Sequence, residues 1–255
     1  MTGEKITEQN EDMRVLITYK GSAEIGKEFQ DDYMILELVT DGRPDALASA
    51  VVNFPLLDGN KSIFIHDLIS YESMEAKETL AVEQKRSIAQ AAAQLINADD
   101  FVFIDAGSTT LELVRALAGD ALKASYVTNG VAHARALARK GCRVYLPGGL
   151  LRPETEAIVG APTVTSLQRY NFTKAFMGAN GVALEAGFTT PDPEEAAVKA
   201  TAVHRALESW FLVDDAKFAR ICPAVIADLH SGAILTNRCP NPKYKQYTLV
   251  KETEL

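Results

Sequence analysis

The sequence predicts an α/β fold, with a mostly parallel sheet covered by helices on both faces and a small domain in front of it. Two observations support this prediction. Short, fully apolar runs recur between about residues 100 and 236, as is typical of buried parallel strands. Between these runs lie segments in which apolar residues recur at helical spacing, and strand and helix in alternation favour a parallel sheet.

The alternation is clearest between residues 77 and 149. Residues 77–96 have helical apolar spacing, the polar residues 97–100 interrupt it, and the apolar run Phe101–Ile104 follows as a strand. Leu111, Val114 and Leu117 then mark one stripe of a helix. The next predicted elements are a strand at Tyr126–Val127, a helix at Val131–Lys140, a strand at Cys142–Leu146 and a turn at Pro147–Gly149.

The later elements continue this order. We predict helices near Pro162–Arg169 and Pro193–Glu208, and strands at Lys174–Met177, Trp210–Val213, Ala224–Ala227 and Gly232–Thr236. The tail beyond Asn237 is predicted to extend an edge of the sheet. The first 75 residues are less regular: Met13–Ile17 and Tyr33–Val39 permit helices, and residues 46–57 are predicted as a short strand or a linker.

Composition excludes several classes of protein. A chain of 255 residues, 47% hydrophobic and 24% charged, is long enough to bury a large core. It has no apolar run of the roughly 18 to 20 residues that a membrane span needs, and its start lacks the apolar core of a signal peptide, so we expect a cytoplasmic protein. The three cysteines and four histidines show neither disulfide nor metal-ligand spacing, so we expect no metal and no cofactor.

Polar and small residues collect where the predicted strands end. In an open parallel sheet, ligands bind at the carboxyl ends of the strands, where helix N-termini present free N–H groups to anions. The segments at these positions are Asp105–Thr110, Thr128–Gly130, Pro147–Gly149, Gly178–Gly181 and Asp214–Lys217.

The loop Asp105–Thr110 has the composition of a phosphate site. It combines a glycine for close backbone approach, three hydroxyls and the start of a helix. It equally fits an ordinary strand-to-helix turn in which Ser108 is the N-cap, and the residues alone leave both interpretations open.

Other strand-end residues are weaker candidates. Asn129 and Gly149 could donate hydrogen bonds to hydroxyls or to the same phosphate, and Lys199 and Lys217 could complete an anion site. Each is also consistent with a turn or with a solvated side chain. Asp214 could bind ligand hydroxyls or merely cap the segment after it.

Eight motifs together resemble the C-terminal effector domain of DeoR-type regulators. They occur in the order and spacing of that family: Phe103–Thr110, Val127–Asn129, Leu146–Gly149, Ile158–Gly160, Ala175–Gly181, Gly187–Thr190, Glu195–Lys199 and Leu212–Phe218. The segment Leu80–Ala89 is similar to the helix that enters this domain, so the resemblance covers about two thirds of the chain.

The resemblance implies the fold of sugar-phosphate isomerases, a phosphorylated sugar or related metabolite as effector, and assembly as a homo-oligomer. It implies a role in regulating transcription and no catalytic residue. By position, the effector-binding residues it implies are Asp105, Gly107, Ser108, Thr109, Thr110, Asn129, Gly149, Lys199, Asp214 and Lys217. It divides the chain into a helix-turn-helix-like segment at 1–60, a linker at 61–76 and the sensor domain at 77–255.

The front segment departs from the family's winged helix-turn-helix. Ile17–Ile25 is similar to its first helix and turn, but Gln30–Leu38 stands where a basic recognition helix is expected, with no base between Lys27 and Arg43. Residues 1–60 hold 12 acidic and five basic side chains, which is a net charge of −7 out of −8 for the whole chain. Because DNA contacts need basic side chains, direct DNA binding by this segment is not favoured.

Three hypotheses follow. The first is a transcription regulator that senses a sugar phosphate. The second is an isomerase or deaminase of sugar phosphates, with Asp105 or Asp214 near the phosphate, although no general base with a clear partner is recognisable. The third is an interaction protein with a vestigial pocket, whose acidic front segment docks onto a basic partner.

Overall fold

The computed structural model describes residues 13–20, 33–40, 49–56, 59–66 and 71–253, with side chains from residue 80 onwards. The chain divides into two compact units, Met1–Leu80 and Ala81–Leu255. Within the described ranges, no helix combines the length and the apolar character that crossing a membrane requires.

The described parts of the first unit are two antiparallel strand pairs. Strand β1 (Met13–Lys20) pairs with β2 (Tyr33–Thr40), and β3 (Ser49–Leu56) pairs with β4 (Gly59–His66). The helices permitted at residues 13–17 and 33–39 are therefore wrong, and β4 extends into the segment 61–76 that was predicted as a linker. Both helix candidates are rich in Val, Ile and Leu, and a short run of such residues does not distinguish helix from strand by periodicity.

Only part of the predicted helix-turn-helix lies within the described residues. The described residues of Ile17–Ile25 and of Gln30–Leu38 belong to β1 and β2, and the remaining residues of both segments lie outside the described part of the chain.

The second unit shows the predicted alternation of strands and helices. Its first element is helix α1, which starts in the first unit and continues into the second. In chain order the elements are α1 (Tyr71–Ala93), β5 (Phe101–Ile104), α2 (Ser108–Ala116), β6 (Ser125–Thr128), α3 (Val131–Arg139), β7 (Arg143–Tyr145), β8 (Leu150–Arg152), β9 (Ala157–Val159), α4 (Ala161–Leu167), β10 (Phe172–Gly178), β11 (Gly181–Ala183), β12 (Gly187–Thr190), α5 (Pro193–His204), β13 (Ala206–Leu212), β14 (Ala224–Ala227), β15 (Ala233–Thr236) and β16 (Val250–Glu252). Short 3₁₀ turns lie at Gly119–Lys123, Asp215–Lys217, Leu229–Ser231 and Pro242–Gln246.

Seven strands form one parallel sheet in the order β16-β15-β13-β10-β5-β6-β7, which confirms the predicted fold class. Strand β16 is the edge extension predicted for the tail. The short antiparallel strands β8, β9, β11 and β12 were not predicted, and β14 joins β11 and β12 in a separate small sheet. Helix α5 ends earlier than predicted because β13 already begins at Ala206.

Each face of the sheet carries its own apolar core. In β13, Trp210 and Leu212 pack into the core beneath α1, α2 and α3, whereas Phe211 between them packs into the core that contains residues of α4 and α5. Successive side chains of a strand point to opposite faces, so a strand buried on both sides must be apolar throughout. This requirement explains why the parallel strands could be recognised as continuous apolar runs.

Candidate functional site

A cavity of about 560 Å³ opens at the carboxyl ends of the central strands β5 and β10. From β5 the chain proceeds through β6 to β7 on one side of the sheet, and it returns to add β10 and β13 on the other side. Helices on opposite sides of such a reversal diverge and leave a crevice between the strand ends. The topology alone therefore creates a binding cleft beside Asp105, which directly follows β5.

The N-terminus of α2 faces this cavity without a capping side chain. Its N-cap is Gly107, in extended conformation and with no side chain to accept a hydrogen bond. Within the described part of the chain, the backbone N–H groups of Ser108 and Thr109 have no acceptor, and both residues line the cavity. Free N–H groups and the positive end of a helix dipole make this position suited to an anion. Ser108 is therefore the first helical residue and not the N-cap.

A buried ion pair forms the floor of the cavity. The Asp105 carboxylate contacts the ammonium of Lys199 from α5, and both residues are less than 5% exposed. The same carboxylate oxygen accepts a hydrogen bond of 3.1 Å from the backbone N–H of Gly178 at the end of β10. Burial raises the pKa of Asp105, while the attraction of Lys199 acts in the opposite direction. The pair therefore joins β5, β10 and α5 at one point.

His133 of α3 supports the Asp105–Thr110 loop from behind. Its Nε2 lies 3.1 Å from both the Gly107 carbonyl oxygen and the Thr110 hydroxyl. Burial, the largest influence, lowers the pKa of His133 to about 4, so the ring is neutral at pH 7. A side chain at Gly130 would overlap this ring and lie 3.2 Å from the Ala106 Cα, so only glycine permits the contact.

The opposite wall is built by the β8–β9 hairpin and the start of α5. Arg152 at the end of β8 binds Asp192 at 2.6 Å and Glu194 at 2.8 Å. Thr155 in the hairpin loop donates a 2.9 Å hydrogen bond to Glu195. This wall thus carries more acid than base, in contrast to the α2 end of the cavity.

The described residues show no group of three or more His, Cys, Asp and Glu side chains arranged to hold a metal ion.

Comparison with known proteins places this chain in a family. The DeoR C terminal sensor domain matches residues 80–237, which is more than half of the chain. The chain belongs to the DeoR family.

Two relatives illustrate the match. The HTH-type transcriptional regulator FruR of Bacillus subtilis, described as uncharacterized, is 37% identical over 191 residues, which are 73% of this chain and 75% of the relative. A lactose phosphotransferase system repressor of Staphylococcus epidermidis is 34% identical over 169 residues, which are 65% of this chain and 66% of the relative. Among solved structures, ribose 5-phosphate isomerase from Methanocaldococcus jannaschii has a TM-score of 0.40 at 16% identity, covering 53% of each chain.

The structure of this DeoR-family chain brings seven of the ten predicted site residues to the cavity lining. They are Asp105, Gly107, Ser108, Thr109, Lys199, Asp214 and Lys217. Asp214 is also the N-cap of the 3₁₀ turn Asp215–Lys217, because its side chain accepts a hydrogen bond of 3.1 Å from the Ala216 N–H.

The other three predicted residues lie behind the lining. Thr110 is fully buried, and its hydroxyl lies 2.6 Å from the Asp105 carbonyl oxygen. Asn129 accepts a 3.0 Å hydrogen bond from Ala106 N–H and donates one of 3.3 Å to a backbone carbonyl of β9. A side chain at Gly149 would overlap the Thr163 hydroxyl and the backbone of β9. These residues shape the loops and do not line the cavity.

Sequence reasoning missed several residues that do line the cavity, namely Lys85, His133, Arg152, Asn180, Asp192 and Glu195. A signal existed for three of them, and Asn180 already lies in the strand-end segment Gly178–Gly181. His133 lies in the first turn of a helix that follows a strand end, and Lys85 lies one turn before the buried stripe of α1. Arg152 and Glu195 meet only through the fold of the β8–β9 hairpin, which the sequence did not predict.

Proposed function

We propose that this DeoR-family protein is a cytoplasmic, homo-oligomeric transcription regulator of carbohydrate metabolism. Its residues 77–255 act as a sensor domain that binds a phosphorylated sugar or a related metabolite. Relatives of similar length carry names of transcriptional regulators, and one of them is named as a repressor of a lactose phosphotransferase system.

The observation that carries this proposal is the uncapped start of α2 at the cavity. A phosphate bound there accepts hydrogen bonds from the Ser108 and Thr109 amides, which otherwise have no described partner. The cavity volume lies within the roughly 300–1,000 Å³ that small-molecule sites occupy. Asp105, Asp214 and the acidic wall supply acceptors for sugar hydroxyls, and Lys217 supplies a cation.

We also propose that the sensor does not catalyse a reaction on this ligand. Asp105 is held by Lys199 and by the Gly178 N–H, and Asp214 is held by the Ala216 N–H. These are the two carboxylates that the isomerase hypothesis would use as bases. A general base must reach a substrate proton, and these partners hold both carboxylates in the floor and wall of the cavity, where an oxygen of each can accept from a sugar hydroxyl.

Phosphorylated sugars are expected to stabilise the protein, whereas the corresponding free sugars are not. A ligand at 100 times its dissociation constant adds about 2.7 kcal/mol to the free energy of unfolding, which thermal denaturation in the presence of glucose-6-phosphate, fructose-6-phosphate and ribose-5-phosphate would detect. Ser108→Asp places a carboxylate at the anion position, so we expect it to stabilise α2 by about 0.3–1 kcal/mol while abolishing this ligand effect.

The control for Ser108→Asp is Gln90→Glu, an equal charge change at an exposed position of α1 that does not line the cavity. This control should respond to ligand as the wild type does. If no sugar phosphate stabilises the wild-type protein, the sensor proposal fails. Exchange of carbon-bound hydrogen of a bound sugar phosphate with heavy water would instead favour the isomerase.

A sensor that does not itself contact DNA is the second candidate, and the front segment favours it. Residues 1–60 carry a net charge of −7, and strands occupy the described residues of the segments where two helices of a DNA-binding module would lie. Gel-shift titrations on the protein's own upstream region at about 50 mM salt are expected to show no shift, because few phosphates can be neutralised. A salt-dependent shift that responds to a sugar phosphate would establish direct operator binding.

A further inference from the structure

The turn that brings Asp214 and Lys217 to the cavity is followed by a residue in an unusual backbone conformation. Asp214 caps the 3₁₀ turn Asp215–Lys217, and both Asp214 and Lys217 line the cavity. Two residues further on, Ala219 has a φ of 57°, in the left-handed region that a residue with a Cβ atom rarely occupies. Such a conformation costs free energy and persists only where neighbouring groups enforce it. The surroundings of Ala219 therefore show what holds this cavity turn, residues 214–219, in place.

The hydroxyl of Tyr244 lies against the backbone of Ala219. The Ala219 N–H donates to the Val182 carbonyl oxygen at 2.8 Å and to the Tyr244 hydroxyl oxygen at 3.2 Å. The same hydroxyl donates to the Val182 carbonyl oxygen at 3.0 Å, so the three groups form a closed set of hydrogen bonds. The rings of Tyr244 and Phe218 meet edge to face with 4.9 Å between their centroids, and both side chains are buried. Tyr244 thus holds the two residues that directly follow Lys217.

The tail of the chain, residues 238–253, begins next to a residue that holds the other end of the cavity turn. Asn237 is buried, and its side-chain oxygen accepts a hydrogen bond of 2.9 Å from the Asp215 N–H. Tyr244 itself lies in the 3₁₀ turn Pro242–Gln246 of the tail, beyond the residues 80–237 that match the family's sensor domain. No described residue of the tail lines the cavity, so an effect of the tail on ligand binding must be indirect.

The placement of Lys217 is the property of the cavity turn that matters most for a phosphate. Lys199 and Arg152 are already paired with acidic side chains, whereas among the side chains that the structure describes Lys217 forms no ion pair within 4 Å. A phosphate carries close to two negative charges, which the roughly half charge of a helix dipole does not balance. A lysine on a turn that is already fixed loses less conformational entropy when it meets this charge.

We propose that Tyr244 is a positioning residue of the effector site, whose hydroxyl holds Ala219 in the left-handed conformation and thereby fixes Lys217 at the cavity. This assignment rests on the proposed sensor function and deepens it, because it adds to the site a part of the chain that does not touch the ligand. Loss of the hydroxyl leaves the strain at Ala219 without one of the groups that oppose it. The cavity turn then relaxes, and ligand binding must order it again.

The test compares Tyr244→Phe with Tyr247→Phe, which removes the hydroxyl of the partly exposed tyrosine at the end of the same 3₁₀ turn. Each variant loses one oxygen atom and keeps its ring, so both are expected to fold. Isothermal titration with glucose-6-phosphate, fructose-6-phosphate and ribose-5-phosphate is expected to show about a fivefold loss of affinity or more for Tyr244→Phe, in line with the loss of one net hydrogen bond. Tyr247→Phe should stay within about twofold of the wild type.

Two double variants separate positioning from packing. If Tyr244 acts by placing Lys217, Tyr244→Phe combined with Lys217→Met should bind no more weakly than Lys217→Met alone. Ala219→Gly should return part of the affinity lost in Tyr244→Phe, because glycine adopts a positive φ without strain. If the two losses simply add, or if Ala219→Gly returns no affinity, Tyr244 does not act through the cavity turn and the assignment is wrong.

The wild-type titration distinguishes this assignment from the sensor function on which it rests. If wild type binds a phosphate ester and Tyr244→Phe binds it equally well, Tyr244 has no positioning role, while the sensor function stands. If wild type binds none of the three esters, the sensor function fails and the role of Tyr244 fails with it.

Discussion

Lys199→Met is expected to lower the free energy of unfolding by about 3–5 kcal/mol, because it leaves the Asp105 carboxylate buried without its counter-ion. Taking a carboxylate out of water is costly unless a partner charge and hydrogen bonds compensate for it, and the Gly178 N–H alone does not replace an ammonium. Urea denaturation at pH 7 would measure the loss.

The double variant Asp105→Asn with Lys199→Met should recover most of this stability. It removes both charges, and an asparagine oxygen can still accept from Gly178 N–H. Lys123→Met, which breaks the exposed pair with Asp120, serves as the control and should leave the unfolding midpoint almost unchanged. A loss below about 1 kcal/mol for Lys199→Met would mean that the Asp105–Lys199 pair does not hold the cavity floor together.

The second large effect is a loss of stability as the pH falls from about 6.5 towards 4. His133 has a folded-state pKa of about 4 against an ordinary value of 6.5, so in this window the unfolded chain binds a proton that the folded chain does not. The contribution of the neutral His133 ring to the free energy of unfolding is fully present above pH 6.5 and is lost as the pH approaches 4. The pKa difference of about 2.5 between the unfolded and the folded state corresponds to at most about 3 kcal/mol of unfolding free energy.

Denaturant titrations at several pH values would test this effect by measuring the slope of the unfolding free energy against pH. His133→Gln should reduce the dependence of the unfolding free energy on pH between 6.5 and 4, whatever its stability at pH 7, because glutamine does not titrate. His204→Gln, at the exposed end of α5, should keep the wild-type slope. Equal slopes for wild type and His133→Gln would show that the ring is already solvated in the folded protein.

Much of the sensor unit could be predicted because its strands are buried on both faces. A strand such as Phe101–Ile104 must be apolar at each position, which makes it recognisable without knowledge of its neighbours. The strands of the front unit are not apolar at each position. Its strands are short mixtures of β-branched and aliphatic residues that a helix could also accommodate, and only the register between Met13–Lys20 and Tyr33–Thr40 distinguishes the two.

Within the candidate site, too, some residues could be predicted from the sequence and others could not. Asp105 and Asp214 could be predicted because the carboxyl ends of parallel strands converge wherever the fold class is known. Asn129 and Gly149 met that criterion as well, but their roles depend on which backbone groups lie behind the loops. Arg152 was missed because its position follows from a hairpin that spans only a few residues, whereas Lys85 was overlooked although it lies one turn before the buried stripe of α1.

The missing cap of α2 implies a conflict between folding and recognition. A serine or aspartate at position 107 would satisfy a first-turn amide and add roughly a few tenths of a kcal/mol of helix stability, yet it would occupy the place that the proposed anion takes. Retaining glycine there keeps the unliganded helix start weaker than it could be. In the proposed complex the phosphate would take the place of the N-cap, so that the metabolite would be a removable part of the fold.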